Sequence, residues 1–363
     1  MKVDKVLLAE PRGFCAGVEM AIKALAWMVR IFDPPVYCYH EIVHNQVVVD
    51  RFRALGVVFV DDVAEVPPGA PIMLSAHGSA PEVIFEARRR GGVVVNSVCP
   101  LVTKVHHEMK VRATKGYTVI YVGHKGHEEA IGTMAVAPSS VRLVEHEEDV
   151  DTLELPEGPL ALLAQTTLSH DEWSGIVERA QEKFGDLWMP TRGDLCFATT
   201  NRQGALKAIA GEVGTVVVIG SANSSNTIAL EKVARAVGPS RVIRVNAASE
   251  LPDDIEGTIA VTAGASAPEE LVQQVIQRLA PTNGVETVRN IDEDEYFPPP
   301  RELRDLMRAL AGALALGLGG TVGPAGSASA RTGADEPDAV VRSEVLDDDR
   351  QVTASDVLAA LAP

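Results

Sequence analysis

The segment KVLLAEPRGFCAGVEMAIKALAWMVR, residues 5–30, sets an apolar run, a tight turn, a cysteine and an amphipathic stretch in immediate succession. Residues 6–9 read as a short buried strand, Pro11-Arg12-Gly13 as the turn, and Val18, Ile22, Leu25 and Val29 recur at helical spacing behind Cys15. The same order returns twice. Residues 93–98 lead to Cys99, with Pro100 suited to a first helical position. Leu195 leads to Cys196, where Thr199, Thr200 and Asn201 offer caps for a helix carrying Leu206 and Ile209. The three cysteines stand 84 and 97 residues apart, and a polar loop follows each: His44 after 29 residues, His127 after 28, Asn226 after 30. A Ser-x-x-Glu capping box then opens another helix in each stretch, Ser79 to Glu82, Ser169 to Glu172 and Ser266 to Glu269. Such a repeat predicts three equivalent modules around a pseudo-threefold axis.

Further strands are expected at 72–75, 119–122, 160–164, 216–219 and 259–262, each running into a polar loop. Strands alternating with helices predict an α/β fold, three similar modules with mainly parallel sheets, whose ligands bind at the carboxyl ends of the strands. The expected boundaries are 1–98, 99–195 and 196–300 for the modules and 301–320 for a closing segment. Residues 321–363 turn from Gly, Ala and Ser to eight acids against three arginines, which predicts a disordered acidic tail with a weak closing helix over 354–361.

Composition narrows the chemistry. A net charge of −17 and 4% aromatic residues argue against a nucleic-acid groove, which needs a basic excess and stacking platforms. The first residues break after one short apolar run, unlike a secretory leader, and no apolar stretch approaches the ~20 residues of a membrane span, so a cytoplasmic location is expected. In that reducing compartment four widely spaced cysteines point to metal binding or catalysis. Structural zinc sites use paired C-x-x-C ligands, absent here, whereas three single thiolates from three modules suit a 4Fe-4S cluster with one iron left open. The plainer alternative is that each is a buried small hydrophobe. Cys38, inside VYCYH, has no repeat partner and reads as a core residue.

A second constellation is polar. His44, His77, His124, His127, Thr166, Ser224, Ser225, Asn226 and Ser266 all fall at expected strand ends, where helix N-termini add N–H donors suited to a phosphate or diphosphate. Ser266 and Asn226 could instead serve only as helix caps. The Walker, G-x-G-x-x-G and G-x-S-x-G patterns are missing, which weakens nucleotide-cofactor and serine-hydrolase readings.

The motifs PRGFCAGV (11–18), EIVHN (41–45), SAHG (75–78), CPLVTKVH (99–106), GHKGHEE (123–129), QTT (165–167), CFATTNRQ (196–203), GSANSSN (220–226) and TAGASAPE (262–269) together resemble the 4-hydroxy-3-methylbut-2-enyl diphosphate reductase family, also called LytB/IspH. The resemblance covers residues 1–310 and implies three α/β modules around a central cluster. It also implies the last step of the non-mevalonate isoprenoid pathway, reductive dehydroxylation of an allylic diphosphate to isopentenyl and dimethylallyl diphosphates.

Carried over motif by motif, it makes Cys15, Cys99 and Cys196 the cluster ligands, and His44, His77, His127, Ser224, Ser225, Asn226 and Ser266 the diphosphate site. Glu129 becomes the proton relay, and Thr166 contacts the substrate hydroxyl region. Two departures stand out: Glu128 where the family commonly has Pro, and Ala130-Ile131 in place of Val-Glu. The implied electron source is an external ferredoxin or flavodoxin, with Arg88, Arg89 and Arg90 as a basic docking patch. Rival readings are a non-redox dehydratase, a quinolinate-synthase-like condensation or an iron-sulfur sensor.

Overall fold

The computed structural model describes residues 1–191, 193–317 and 349–361. Its first strand, β1 (Lys2–Glu10), pairs with no neighbour in sequence. Strands β2 (Val36–Tyr39), β3 (Val57–Val60), β4 (Ile72–Leu74) and β5 (Val94–Asn96) form one parallel sheet in the order β3-β2-β4-β5. Strands β6 (Thr118–Val122), β7 (Val141–Val144) and β8 (Leu160–Ala164) form a second, β7-β6-β8, which Trp188 extends through a parallel bridge to Ala161. Strands β9 (Thr215–Ile219), β10 (Arg241–Val245), β11 (Glu256–Ala263) and β12 (Val285–Arg289) take in β1 to complete a third, β10-β9-β11-β1-β12.

Aligning these orders corrects the expected module boundary at residue 1. β1 occupies in the third sheet the place that β5 holds in the first and Trp188 in the second. A cysteine follows each: Cys99 after β5, Cys196 after Trp188, Cys15 after β1. The chain therefore opens with the fourth strand of its last module, and the first module begins only behind Cys15. Parallel pairing of β1 with β11 and β12 closes the ring of modules, a long-range choice that no local pattern encodes.

Helices α1 (Ala16–Ile31), α2 (Gln46–Ala54) and α3 (Pro81–Arg89) surround the first sheet; α4 (Pro100–Thr114), α5 (Glu128–Ala135), α6 (Glu147–Thr152) and α7 (His170–Phe184) surround the second. The third has α8 (Phe197–Ala210), α9 (Ser225–Val237) and α10 (Glu269–Leu279). Side chains alternate between faces with period two. Val36 and Cys38 join one apolar cluster and Tyr37 and Tyr39 another; Ile120 and Val122 oppose Val119 and Tyr121; Val6 and Leu8 oppose Leu7 and Ala9. Both faces of each sheet are thus covered, as parallel strands require. Cys38 is fully buried, as expected. No helix among the described residues is long and apolar enough to cross a membrane.

Of the three expected capping boxes only Ser169 with Glu172 forms. α3 is capped by Ala80 with Pro81 in its first turn, and α10 by Pro268, so Ser79 and Ser266 lie upstream of their helices. The reason is the proline in SAPE: its fixed φ starts the helix at Pro81 itself in α3 and directly after Pro268 in α10.

The expected disordered tail is corrected in part. Residues 318–348 lie outside the described residues, but 349–361 are ordered against α1, where α11 (Ala354–Ala360) buries Ala354 and Leu358 in the cluster of Ile22 and Leu25. Polar ties accompany the apolar contact: the Ala354 amide donates to Glu19 Oε2 at 2.6 Å, Lys23 Nζ to the Asp349 carbonyl at 2.6 Å, and the Tyr296 hydroxyl to Asp349 Oδ2 at 2.8 Å. Acidity alone predicts solvation; the Ala354 and Leu358 pair, one turn apart, makes burial favourable instead. Leu358→Ala should cost about 2 to 5 kcal/mol of stability, read as a lower urea midpoint at unchanged slope. An unchanged midpoint would mean that this helix does not stay docked.

Candidate active site

Cys15, Cys99 and Cys196 stand at the N-caps of α1, α4 and α8, three equivalent helix starts. Cys15 and Cys99 meet across Gly17. A Cβ there would come 2.9 Å from Cys99 Sγ and 3.9 Å from Cys15 Sγ, so only glycine lets α1 bring its thiol this close to α4. Burial, with repulsion from Cys15, pushes the Cys99 thiol far up and that of Cys196 to about 11. The Thr199 amide and hydroxyl sit 3.2 and 3.0 Å from Cys196 Sγ. Thiols so buried favour ionisation only with a positive partner beside them.

Glu129, in the first turn of α5, is 2% exposed. Its Oε1 accepts from the Thr166 amide at 2.7 Å and its Oε2 from the Thr166 hydroxyl at 2.9 Å. Burial raises its pKa to about 7 despite those two bonds, and the buried carboxylate of Asp194 adds to the push. Glu129 thus exchanges a proton near neutrality, as a general acid should. Gly132, one turn on, would carry a Cβ 2.5 Å from the Gly78 carbonyl, so α5 sits directly against the His77 loop.

The imidazoles cluster. His44 and His77 stack with centroids 4.0 Å apart, and His127 meets His44 edge-on at 5.5 Å. Burial keeps His77 well below the usual histidine range and lowers His127 to about 3, so both are neutral. His127 Nδ1 accepts from the Glu129 amide at 3.2 Å, which places its remaining proton on Nε2 as a donor. Ser224 caps α9, Ser225 Oγ accepts from Gln165 Nε2 at 3.2 Å, and the Ser266 hydroxyl donates to the His44 carbonyl at 3.0 Å. Asn226 is no cap: its Nδ2 donates to Thr199 Oγ1 at 3.3 Å and its Oδ1 accepts from the Ala265 amide at 2.9 Å.

One cleft of about 770 Å³ is lined by all three thiols, Glu129, Thr166 and the seven residues of the expected diphosphate site. A model of the LytB protein family matches residues 6–280, more than half of the chain. The chain belongs to the LytB family. Among similar family members, the 4-hydroxy-3-methylbut-2-enyl diphosphate reductase of Rhodopirellula baltica is 46% identical over 83% of this chain and 96% of its own. That of Bifidobacterium longum is 43% identical over 82% and 92%. The solved E-1-hydroxy-2-methyl-but-2-enyl-4-diphosphate reductase of Plasmodium falciparum superposes with a TM-score of 0.82 at 32% identity, covering 86% of this chain and all of that one.

Within this LytB chain the structure adds residues that sequence reasoning missed. Arg202 is 1% exposed and donates to the carbonyls of Gly13 and Phe14 at 2.9 and 3.0 Å and to Glu293 at 3.0 Å, tying the Cys15 loop to the helix of Cys196. Its sequence signal is a charge on the apolar stripe of α8, in line with Leu206 and Ile209. Gln165 holds Ser225 and Thr167, and Phe297 lines the cleft beside Phe197. His124 does not line the cleft; it lies behind Gln165, at 3.5 Å. The Arg88, Arg89 and Arg90 patch is largely neutralised, by Glu302 at 3.6 Å and by Glu86 at 2.7 and 3.2 Å.

Proposed function

We propose that this chain is a 4-hydroxy-3-methylbut-2-enyl diphosphate reductase whose cleft residues act on the allylic diphosphate as their positions suggest. The observation that carries the assignment of roles is the meeting of three equivalent thiols, a carboxyl near neutrality and a polar cradle in one cleft. The thiols fit a 4Fe-4S cluster: they come from three helix starts, Gly17 clears the space between two of them, and the amide of Thr199 offers a hydrogen bond to sulfur. When bound, such a cluster supplies the electrons and an open Lewis-acidic iron.

The protein's own part is binding and proton delivery. Overall, the C–O bond breaks, the hydroxyl leaves as water with one proton, and the allylic fragment takes two electrons and a second proton. Hydroxide is a poor leaving group, so a proton must reach that oxygen, and Glu129, held by Thr166, is the group poised to give it. The His44, His77 and His127 side donates N–H groups to the diphosphate, together with Ser224, Ser225, Asn226 and Ser266 and the N-termini of α9 and α10. Electrons come from outside, from a ferredoxin- or flavodoxin-type donor in the cytoplasm, where the free cysteines stay reduced.

The direct test is anaerobic: cluster-replete protein, reduced methyl viologen and the allylic diphosphate should yield isopentenyl and dimethylallyl diphosphates. No viologen oxidation by iron-replete protein would overturn the assignment. Ser224→Ala and Asn226→Ala should each weaken diphosphate binding by about 1.5 to 3 kcal/mol at unchanged iron content. Calorimetry with equal affinities for both would reduce the two residues to ties between helices.

A further inference from the structure

Phe297 lines the cleft from a stretch with no regular structure of its own. Residues 291–299 form no helix or strand and make no backbone–backbone hydrogen bond among the described residues. Side chains must therefore fix this strap, because backbone without a ladder opens at little free-energy cost. They hold it from both sides. On the cleft side Glu293 accepts from Arg202 Nη1 at 3.0 Å and from Asn201 Nδ2 at 2.9 Å, which anchors the strap to α8, the helix capped by Cys196. On the far side the C-terminal segment takes hold: the Tyr296 hydroxyl donates to Asp349 Oδ2 at 2.8 Å, and Arg350 donates to Asp294 Oδ2 at 2.9 Å.

Asp349 is the node of this clasp. Lys23, on the helix capped by Cys15, donates to the Asp349 carbonyl at 2.6 Å and lies 3.6 Å from its carboxylate. Lys23 Nζ and the Arg350 guanidinium stand 5.7 and 5.8 Å from the centroid of the Tyr296 ring. Burial and the adjoining carboxylate keep the Tyr296 phenol protonated, so it remains the donor. The Asp349 side chain is only 11% exposed, so its bond to Tyr296 is charge-assisted and largely shielded from water. One residue on, the Phe297 ring lies 6.3 Å from that of Phe197, and both line the cleft beside Cys196. Neighbours in the chain share a peptide plane, so seating Tyr296 restricts where Phe297 can go.

We propose that Tyr296 and Asp349 are positioning residues whose bond seats Phe297 as the apolar wall for the hydrocarbon part of the allylic diphosphate. The polar cradle grips the diphosphate, and the carbon skeleton needs an apolar surface of its own. This inference rests on the reductase reading for its substrate.

The test compares cluster-replete Tyr296→Phe, Asp349→Ala, Asp349→Asn and Phe297→Ala with the unaltered protein in the methyl viologen assay. Tyr296→Phe and Asp349→Ala should each raise KM about three- to tenfold with kcat within about twofold, the split expected when ground-state and transition-state binding weaken together. Asp349→Asn keeps an oxygen for the Tyr296 hydroxyl and should restore KM. Phe297→Ala should raise KM at least as far, and adding Tyr296→Phe to it should change nothing more, because the clasp acts through that ring. Calorimetry gives a readout without turnover: dimethylallyl diphosphate should bind Tyr296→Phe and Asp349→Ala more weakly by the same factor, and inorganic diphosphate, which has no hydrocarbon part, should bind all variants alike. Unchanged KM and dimethylallyl diphosphate affinity in Tyr296→Phe and Asp349→Ala, beside an active unaltered protein, would overturn the clasp alone. A fall in kcat at constant KM that tracks a lower urea midpoint would overturn it too, reducing the ties to fold stability. An inactive unaltered protein would reject the reductase reading and this inference with it.

Discussion

Glu129→Gln should lower turnover of the cluster-replete protein by about two to four orders of magnitude, the usual loss when a general acid is removed. The substitution is clean because the amide can keep both local bonds. Its oxygen can accept from the Thr166 amide, and its NH₂ can donate to the Thr166 hydroxyl, which turns to accept. Iron content and diphosphate affinity should therefore barely move. The pH dependence carries a second signature. With the Glu129 pKa raised by burial to about 7, the proton donor is populated below that pH and lost above it, so kcat/KM should fall as pH rises through about 7. For stability the sign is the same: the contribution of the protonated, buried carboxyl is complete below the ordinary carboxylate range near 4.5 and disappears as pH rises through about 7. The glutamine variant should lose that slope. Near-normal turnover in Glu129→Gln together with an inactive Glu128→Gln would move the relay to Glu128, whose carboxyl burial also raises.

Replacing Cys15, Cys99 or Cys196 by Ala should abolish iron binding and turnover together, whereas Cys38→Ala should keep both. The contrast follows from position. The first three thiols cap equivalent helices and face one cleft, while Cys38 lies in β2, fully buried in the apolar cluster beneath α1. Losing one of three ligands from three separate modules removes a tie between modules as well as a metal bond, so no neighbour can substitute. Iron and sulfide content with the visible spectrum, measured on anaerobic preparations of all four variants, decides the matter. A cluster that survives in any of the first three, or is lost with Cys38, would reject the ligand set.

Arg202→Met illustrates a third kind of residue, one that the sequence did not announce. The variant fills similar volume but leaves the Gly13 and Phe14 carbonyls and Glu293 without their donor. A loss of about 3 to 5 kcal/mol in chemical unfolding is expected for breaking a buried pair of this kind. A loss under 1 kcal/mol would mean that the Cys15 loop is held without it.

Local rules made much of the chain legible. Apolar runs at period two and stripes at period 3.6 located the strands and helices, because those periods reflect backbone geometry that each segment carries by itself. The spacing of Cys15, Cys99 and Cys196 exposed the threefold repeat, and nine motifs exposed the family. Helix starts were harder. In SAPE a proline two residues from each serine decided the start, so Ser266 is released from capping and donates to the His44 carbonyl instead.

What the amino-acid order determined alone was therefore the element pattern, the three-module repeat, the family and the residue types of the site. Tertiary structure decided the rest. It placed β1 in the third sheet rather than the first, and it turned an acidic C-terminal stretch into a helix docked on α1. It also set the Glu129 pKa near 7 by burying the carboxyl against Thr166 and near Asp194, and it gathered His44, His77 and Glu128 into one corner. Each depends on groups far apart in the chain: strand partnership on long-range register, burial and proton affinity on what packs from other modules, and none leaves a signature within a local window.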